Sequence, residues 1–139
     1  MDMDVANYAV RAGTPPVDVY QHLRAAAGLS PRSAAAAAAG LTGAWHAVVA
    51  YHHDQPVGMG RVIGDGGTVF QIVDVCVLPE HQGRGVGKRI MSALMQQLRE
   101  RAPRTAYVSL IADGDARHLY ARYGFVETAP ASVGMALRL

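Results

Sequence analysis

The stretch "PEHQGRGVGKRIMSALMQQL", which begins at Pro79, constrains this chain more than any other. Gly83, Gly85 and Gly87 alternate where a β-rich run gives way to a long amphipathic helix, and Arg84 and Lys88 stand among them. Glycine inside a helix costs about 1 kcal/mol relative to alanine, so the arrangement asks for a compensating role. A strand-to-helix turn supplies one. The first four N–H groups of a helix lack intrahelical partners, and the helix dipole concentrates partial positive charge at that end. Glycine, having no Cβ, lets such a backbone approach a ligand closely. With two cations added, the turn reads as a seat for a pyrophosphate.

The rest of the chain fits a single domain, 1–139, with half its residues hydrophobic, 17% charged and a formal net charge of +2. That profile is globular and excludes a disordered chain or a strongly basic nucleic-acid binder. The basic residues are scattered, and no aromatic-basic platform for nucleic acid is present. The one cysteine, Cys76, rules out an intrachain disulfide and a multi-cysteine metal site, so a reducing, cytoplasmic setting is expected. "MDMDVANYAV" lacks a basic region followed by an apolar core, so no secretory signal is predicted. "SAAAAAAG" falls far short of the roughly 20 apolar residues needed to span a bilayer, and a soluble chain without a membrane partner is expected.

The pattern along the chain predicts the elements. "NYAVRA" is a strand, closed by Gly13, Pro15 and Pro16. Val17, Tyr20 and Leu23 recur at helical spacing, and "SPRSAAAAAAG" predicts a second helix with Ser30 as N-cap and Pro31 at its first position. "WHAVVAY", "PVGMGRVI" and "TVFQIVDVCVL" are β-rich runs joined by the short connectors "HHDQ" and "GDGG", which predicts an antiparallel meander. From Gly85 the period becomes helical, with Val86, Ile90, Leu94 and Leu98 on one stripe, and the helix should stop before Pro103. "TAYVSLIA" follows as a strand reached by a parallel crossover. "DARHLYARY" is a short helix ended by Gly124, and "VGMALRL" is expected to close the sheet. The fold class is therefore α/β (α+β), in the order β-α-α-β-β-β-α-β-α-β.

Two common phosphate motifs fit the glycine turn poorly. A P-loop needs a glycine where Gln82 stands and a hydroxyl where Arg89 stands, and the dinucleotide fingerprint G-x-G-x-x-G is not the G-x-G-x-G seen here. The stretch instead resembles Q/R-x-x-G-x-G/A, the acetyl-CoA pyrophosphate loop of the GCN5-related N-acetyltransferase (GNAT) superfamily. Gln82, Gly85 and Gly87 match its fixed positions, "VCVLPEHQGRGVG" matches its V-x-V-x-P context, and the order of elements matches along nearly the whole chain.

The resemblance implies a mixed, mostly antiparallel central sheet with a splayed parallel strand pair. In that opening the pantetheine of acetyl-CoA, the co-substrate, would bond the main chain of Val75, Cys76 and Val77. Gln82 and the amides of Gly83, Arg84, Gly85, Val86, Gly87 and Lys88 would form the pyrophosphate loop. "DARHLYARYGF" resembles the family's N-x-x-A-x-x-L-Y-x-x-x-G-F, except that Asp113 replaces the usual Asn near the pantetheine arm. Tyr120 would then be the general acid that protonates the departing thiolate, a role suited to a phenol that is neutral at pH 7. A main-chain N–H near Val75 would polarise the thioester carbonyl.

Asp74 is the candidate base. An acid inside "FQIVDVCV" is costly to bury unless it is bonded, structurally tied to backbone amides, or lining a site. Cys76 reads as a buried small hydrophobe rather than an acyl carrier. His52 and His53 fall in a predicted, solvated hairpin turn, and the histidines show no metal spacing, so no metal is expected. Tyr20, Leu29, Trp45, Arg61 and Met135 are candidates to line an acceptor pocket. The expected activity is acetyl-CoA-dependent N-acetyl transfer to a primary amine of a small molecule, by direct attack in a ternary complex. Acetylation of a protein or peptide, or a non-catalytic CoA-binding sensor module, are the alternatives, and the expectation leaves room for a homodimer.

Overall fold

A computed structural model describes residues 7–139. The acidic segment used above against a secretory signal lies largely outside them. Five strands form one sheet in the order β1-β2-β3-β4-β5: β1 (Tyr8–Ala12), β2 (His46–His52), β3 (Gln55–Gly64), β4 (Val69–Val77) and β5 (Tyr107–Ser109). The first four are antiparallel neighbours, and β5 runs parallel to β4. Helices α1 (Val17–Ala26) and α2 (Ala34–Leu41) link β1 to β2, α3 (Val86–Arg101) makes the crossover to β5, and α4 (Ala116–Ala121) follows β5.

The connectors act as their composition predicts. His53 and Asp54 both have positive φ, +48° and +65°, and form a two-residue turn between His52 and Gln55. In "GDGG" the Asp65 carboxylate accepts the N–H groups of Gly67, Thr68 and Val69 and the Thr68 hydroxyl, tying the β3–β4 turn to one side chain. These bonds hold its carboxyl well below the usual carboxylate range.

α3 buries its predicted stripe, Val86, Ile90, Leu94 and Leu98, together with Met91. The glycines of "PVGMGRVI" explain how it gets so close to β3. A Cβ on Gly60 would lie 2.8 Å from Ile90 Cγ2 and 2.9 Å from Leu94 Cδ1, distances that only a missing side chain allows. Arg61, next along β3, points the other way and bonds the Gly40 carbonyl of α2. α1, α2 and α3 thus sandwich the sheet.

Two local expectations change. Ser33, not Ser30, caps α2 by accepting from Ala36 N at 3.1 Å, because the carbonyl and hydroxyl of Ser30 are engaged by Arg24 and Arg32. "VGMALRL" forms no strand: after α4 no described residue enters the sheet, and 126–139 are exposed throughout.

Candidate active site

The opening of the sheet follows from register. β4 and β5 pair only at Val69↔Tyr107, Phe70↔Val108 and Gln71↔Ser109, whereas β4 runs on to Val77. Beyond Gln71 no strand among the described residues lies beside that edge of β4, so its backbone groups there are available to a ligand that carries amides.

A β-bulge accompanies the parting of the strands. β3 pairs Met59 with Cys76 and Arg61 with Val73, so Asp74 and Val75 together face the single residue Gly60. Asp74 adopts φ +61°, a left-handed conformation that Asp tolerates better than most residues. A bulge bends its strand and re-aims the backbone, and this one falls at the residues expected to face the thioester.

The bulge is held by a polar cluster. Arg24 Nη1 lies 2.6 Å from Asp74 Oδ1, while Arg61 Nε and the Tyr20 hydroxyl donate to Oδ2 at 2.7 and 3.1 Å. Arg24 Nε also donates to the Ser30 carbonyl at 2.8 Å. Both ion pairs are buried. Burial, followed by the Asp74 charge, raises the Tyr20 phenol above its ordinary value. Three of the roughly four acceptor sites of Asp74 are thus occupied, and its visible work is to join α1, β3 and β4. That geometry does not favour the expected role as base. Arg24 escaped the sequence reading; its signal was a cation at helical spacing from Tyr20 on the apolar face of α1.

The glycine loop leads directly from β4 into α3. Gly83 and Gly85 have φ +78° and +81°, and Gly85 is the N-cap of α3 without any side-chain cap bond. A Cβ at either would meet nothing within 4 Å, so the left-handed backbone, not crowding, calls for glycine. Arg84 and Lys88 are exposed beside them. Gln82, itself exposed, donates to the Val77 carbonyl at 3.0 Å, so it shapes the loop and occupies a carbonyl assigned above to pantetheine.

α4 packs over the first turn of α3, where a Cβ on Gly87 would lie 3.6 Å from Leu119 Cδ2. It thereby brings Tyr120, largely buried, beside Cys76 of β4. Burial raises the Tyr120 phenol, with Asp113 and then Cys76 adding to the effect, and its hydroxyl has no hydrogen-bond partner among the described residues. The phenol is therefore a neutral donor at pH 7. The Cys76 thiol, buried against the Leu23 carbonyl, is pushed up to about 12, chiefly by desolvation, which makes it a poor nucleophile. Asp113 is exposed at the start of α4, and its carbonyl accepts from Ala116 N.

The other candidates disperse. Trp45 packs on Phe70 beneath the Arg101 guanidinium, and Met135 is exposed. His53 is exposed in the turn, whereas His52 ends β2 and its ring packs at a tilt against those of Tyr8, His53 and His81. Among the described residues, no three His, Cys, Asp or Glu side chains are grouped to hold a metal, and no helix is long and apolar enough to cross a membrane.

The five-stranded sheet is thus parted at its parallel pair, and a helix N-terminus without a side-chain cap lies at the parting. Comparison with known proteins gives the family. The sequence profile of the acetyltransferase (GNAT) domain matches residues 20–138. A Staphylococcus aureus protein of unknown function, described as a probable acetyltransferase, is 45% identical, with 95% of this chain and 99% of that one covered and a TM-score of 0.91. A predicted acetyltransferase of Clostridium acetobutylicum, solved with acetyl-CoA, shares the fold at 16% identity and a TM-score of 0.67, covering 94% of this chain and 96% of its own. A ribosomal protein bS18-alanine N-acetyltransferase of Haemophilus influenzae is 36% identical over 67 residues, 48% of this chain and 44% of its own length. The chain belongs to the GNAT acetyltransferase family. It spans less than half the length of the curated relatives it matches.

Proposed function

We propose that this chain transfers the acetyl group of acetyl-CoA to a primary amine of a small molecule, by direct attack while both substrates are bound. The observation that carries this reading is the continuous track of backbone from the unpaired edge of β4, through the glycine loop, to the uncapped start of α3. Acetyl-CoA, when bound, supplies the activated acyl group.

The chain's own residues have distinct tasks along that track. Main-chain groups from Val75 to Val77 hold the amides of the pantetheine arm, with the Val77 carbonyl shared with Gln82. The N–H groups of Gly83 to Lys88 hold the pyrophosphate, and Arg84 and Lys88 add charge. The Val75 N–H, re-aimed by the bulge, polarises the thioester carbonyl. The attacking nitrogen forms the new C–N bond as the C–S bond breaks. Tyr120 gives its proton to the departing sulfur and recovers one from solvent. The proton lost by the amine, whose pKa is near the ~10.4 of lysine, goes to water, because Asp74 is engaged by two guanidiniums.

The acceptor class rests on charge and packing. Arg24, Asp74 and Arg61 together carry one surplus positive charge beneath the α1–α2 layer, which disfavours a polycationic acceptor. The close packing of that layer through Tyr20, Leu23, Ala37 and Leu41 favours a metabolite over a polypeptide. Calorimetric titration with CoA, followed by a thiol-release assay over a panel of small amines and N-terminal peptides, tests the reading. Turnover with a small amine is the expected result. Turnover with peptides alone would select a protein substrate, and binding without turnover would leave a CoA-binding module.

A further inference from the structure

Arg61 is the member of the polar cluster with a donor left over. Its Nε is given to Asp74 Oδ2 and its Nη1 to the Gly40 carbonyl at 3.2 Å, while Nη2 has no hydrogen-bond partner among the described residues. Arg24, by contrast, engages all three of its nitrogens, on Asp74 and on the carbonyl and hydroxyl of Ser30. Arg61 is only 9% exposed, yet no buried side-chain nitrogen or oxygen among the described residues is without a partner, so Nη2 reaches accessible space. A guanidinium N–H held in this way is a ready donor to an anion.

Charge points the same way. Two guanidiniums, Arg24 and Arg61, face the one carboxylate of Asp74, which leaves a surplus of one positive charge. In a buried setting that surplus is poorly screened and attracts a single counter-charge. The cluster also lies at the reacting end of β4: Asp74 immediately precedes Val75, whose N–H is assigned above to the thioester carbonyl, and Arg61 pairs with Val73.

We propose that the acceptor amine carries a carboxylate, which binds Nη2 of Arg61, so that the substrate class is amino acids. This rests on the acetyl transfer proposed above. A plain alkylamine, protonated in solution, brings a second cation to the surplus charge, whereas an amino acid brings its own counter-charge. One surplus charge also matches a carboxylate better than a more highly charged phosphate or phosphonate. Arg61 acts in this scheme on binding and not on bond making, so its effect belongs in KM.

The test compares acetylation by the full chain, at saturating acetyl-CoA, of the common amino acids and β-alanine with that of their own primary amides. For those that react, kcat/KM should favour the carboxylate at least about tenfold, through KM, although the less basic nitrogen of the amide is the more readily deprotonated. Aminoethylphosphonate, which carries a phosphonate where β-alanine carries a carboxylate, should be the poorer substrate of the two. Arg61→Gln removes the donor and the surplus charge while Asp74 keeps Arg24, and the preference should largely disappear. If that variant does not fold, the wild-type comparison decides alone. Amides or plain alkylamines that react as well as the carboxylates, or a preference for the phosphonate, overturn the inference and leave acetyl transfer itself standing. So does a preference that persists in folded Arg61→Gln. CoA binding without acetylation of any amine overturns both.

Discussion

Arg24 Nη1 lies 2.6 Å from Asp74 Oδ1, an ion pair between residues 50 apart in the chain that fastens α1 to the bulge of β4. Removing the carboxylate leaves two buried guanidiniums facing each other without a counter-charge. Asp74→Ala should therefore destabilise the protein by about 3–5 kcal/mol, read as a lowered denaturant midpoint. Asp74→Asn separates the two roles at issue. As a positioning residue, Asp74 can be replaced with loss of stability while the folded fraction keeps its dependence of kcat on pH. Loss of that pH dependence in a folded Asn variant would restore the carboxylate as base.

The reach of the sequence is clear from this pair. The stripe of α3 was legible because Val86, Ile90, Leu94 and Leu98 carry their own period, and the turn at His53–Asp54 because a two-residue connector needs positive φ. Asp74 was conspicuous because an acid in an apolar run demands partners, yet those partners came from two other elements and no local spacing announces them. Gly58 and Gly60 read as part of a strand, and only the folded chain shows why a side chain is excluded: the Cys76 carbonyl of β4 crowds Gly58, and α3 crowds Gly60. Ser30 was read as the cap of α2, but its carbonyl and hydroxyl are held by Arg24 and the cap falls to Ser33. "VGMALRL" was read as a strand from its pattern, but it pairs with no strand of the sheet and stays exposed.

Gly85 caps α3 at φ +81°, with open space where a side chain would project. A carboxylate there would occupy the phosphate seat and repel its occupant. Gly85→Glu should weaken CoA binding at least about 100-fold, near 2.7 kcal/mol, by calorimetry. Gly85→Ala supplies the control, since it carries the left-handed strain of about 1–2 kcal/mol without the charge. CoA affinity in the Glu variant equal to that of the Ala variant would remove the phosphate seat from this turn.

Asp65 tests the β3–β4 turn through pH. Its carboxyl is depressed by the Thr68 hydroxyl and the N–H groups of Gly67, Thr68 and Val69, so its bonds favour the folded state while it is ionised. The contribution is complete above the unfolded value of about 3.9 and is lost as pH falls from there through the depressed folded value. Melting temperatures of wild type and Asp65→Asn should therefore differ most at neutral pH and converge as the medium is acidified below about pH 4. A gap that stays constant to pH 3 would show that the carboxylate's charge has no part in the turn.

Tyr120 combines a buried ring, a hydroxyl without a hydrogen-bond partner among the described residues, and a place beside Cys76 at the parted edge of β4. Tyr120→Phe keeps the ring and deletes only the proton donor, so CoA affinity should stay within about twofold while kcat falls by about 10²–10⁴, the range for loss of a general acid. Burial and the Asp113 charge raise the phenol, which places its ionisation above its ordinary value of about 10. In wild type, then, turnover should not decline on the alkaline side until pH passes that value, because the donor remains protonated up to there. The Phe variant should lack that decline and stay low at every pH. Equal kcat in the two proteins would take the proton transfer away from Tyr120 and hand it to solvent.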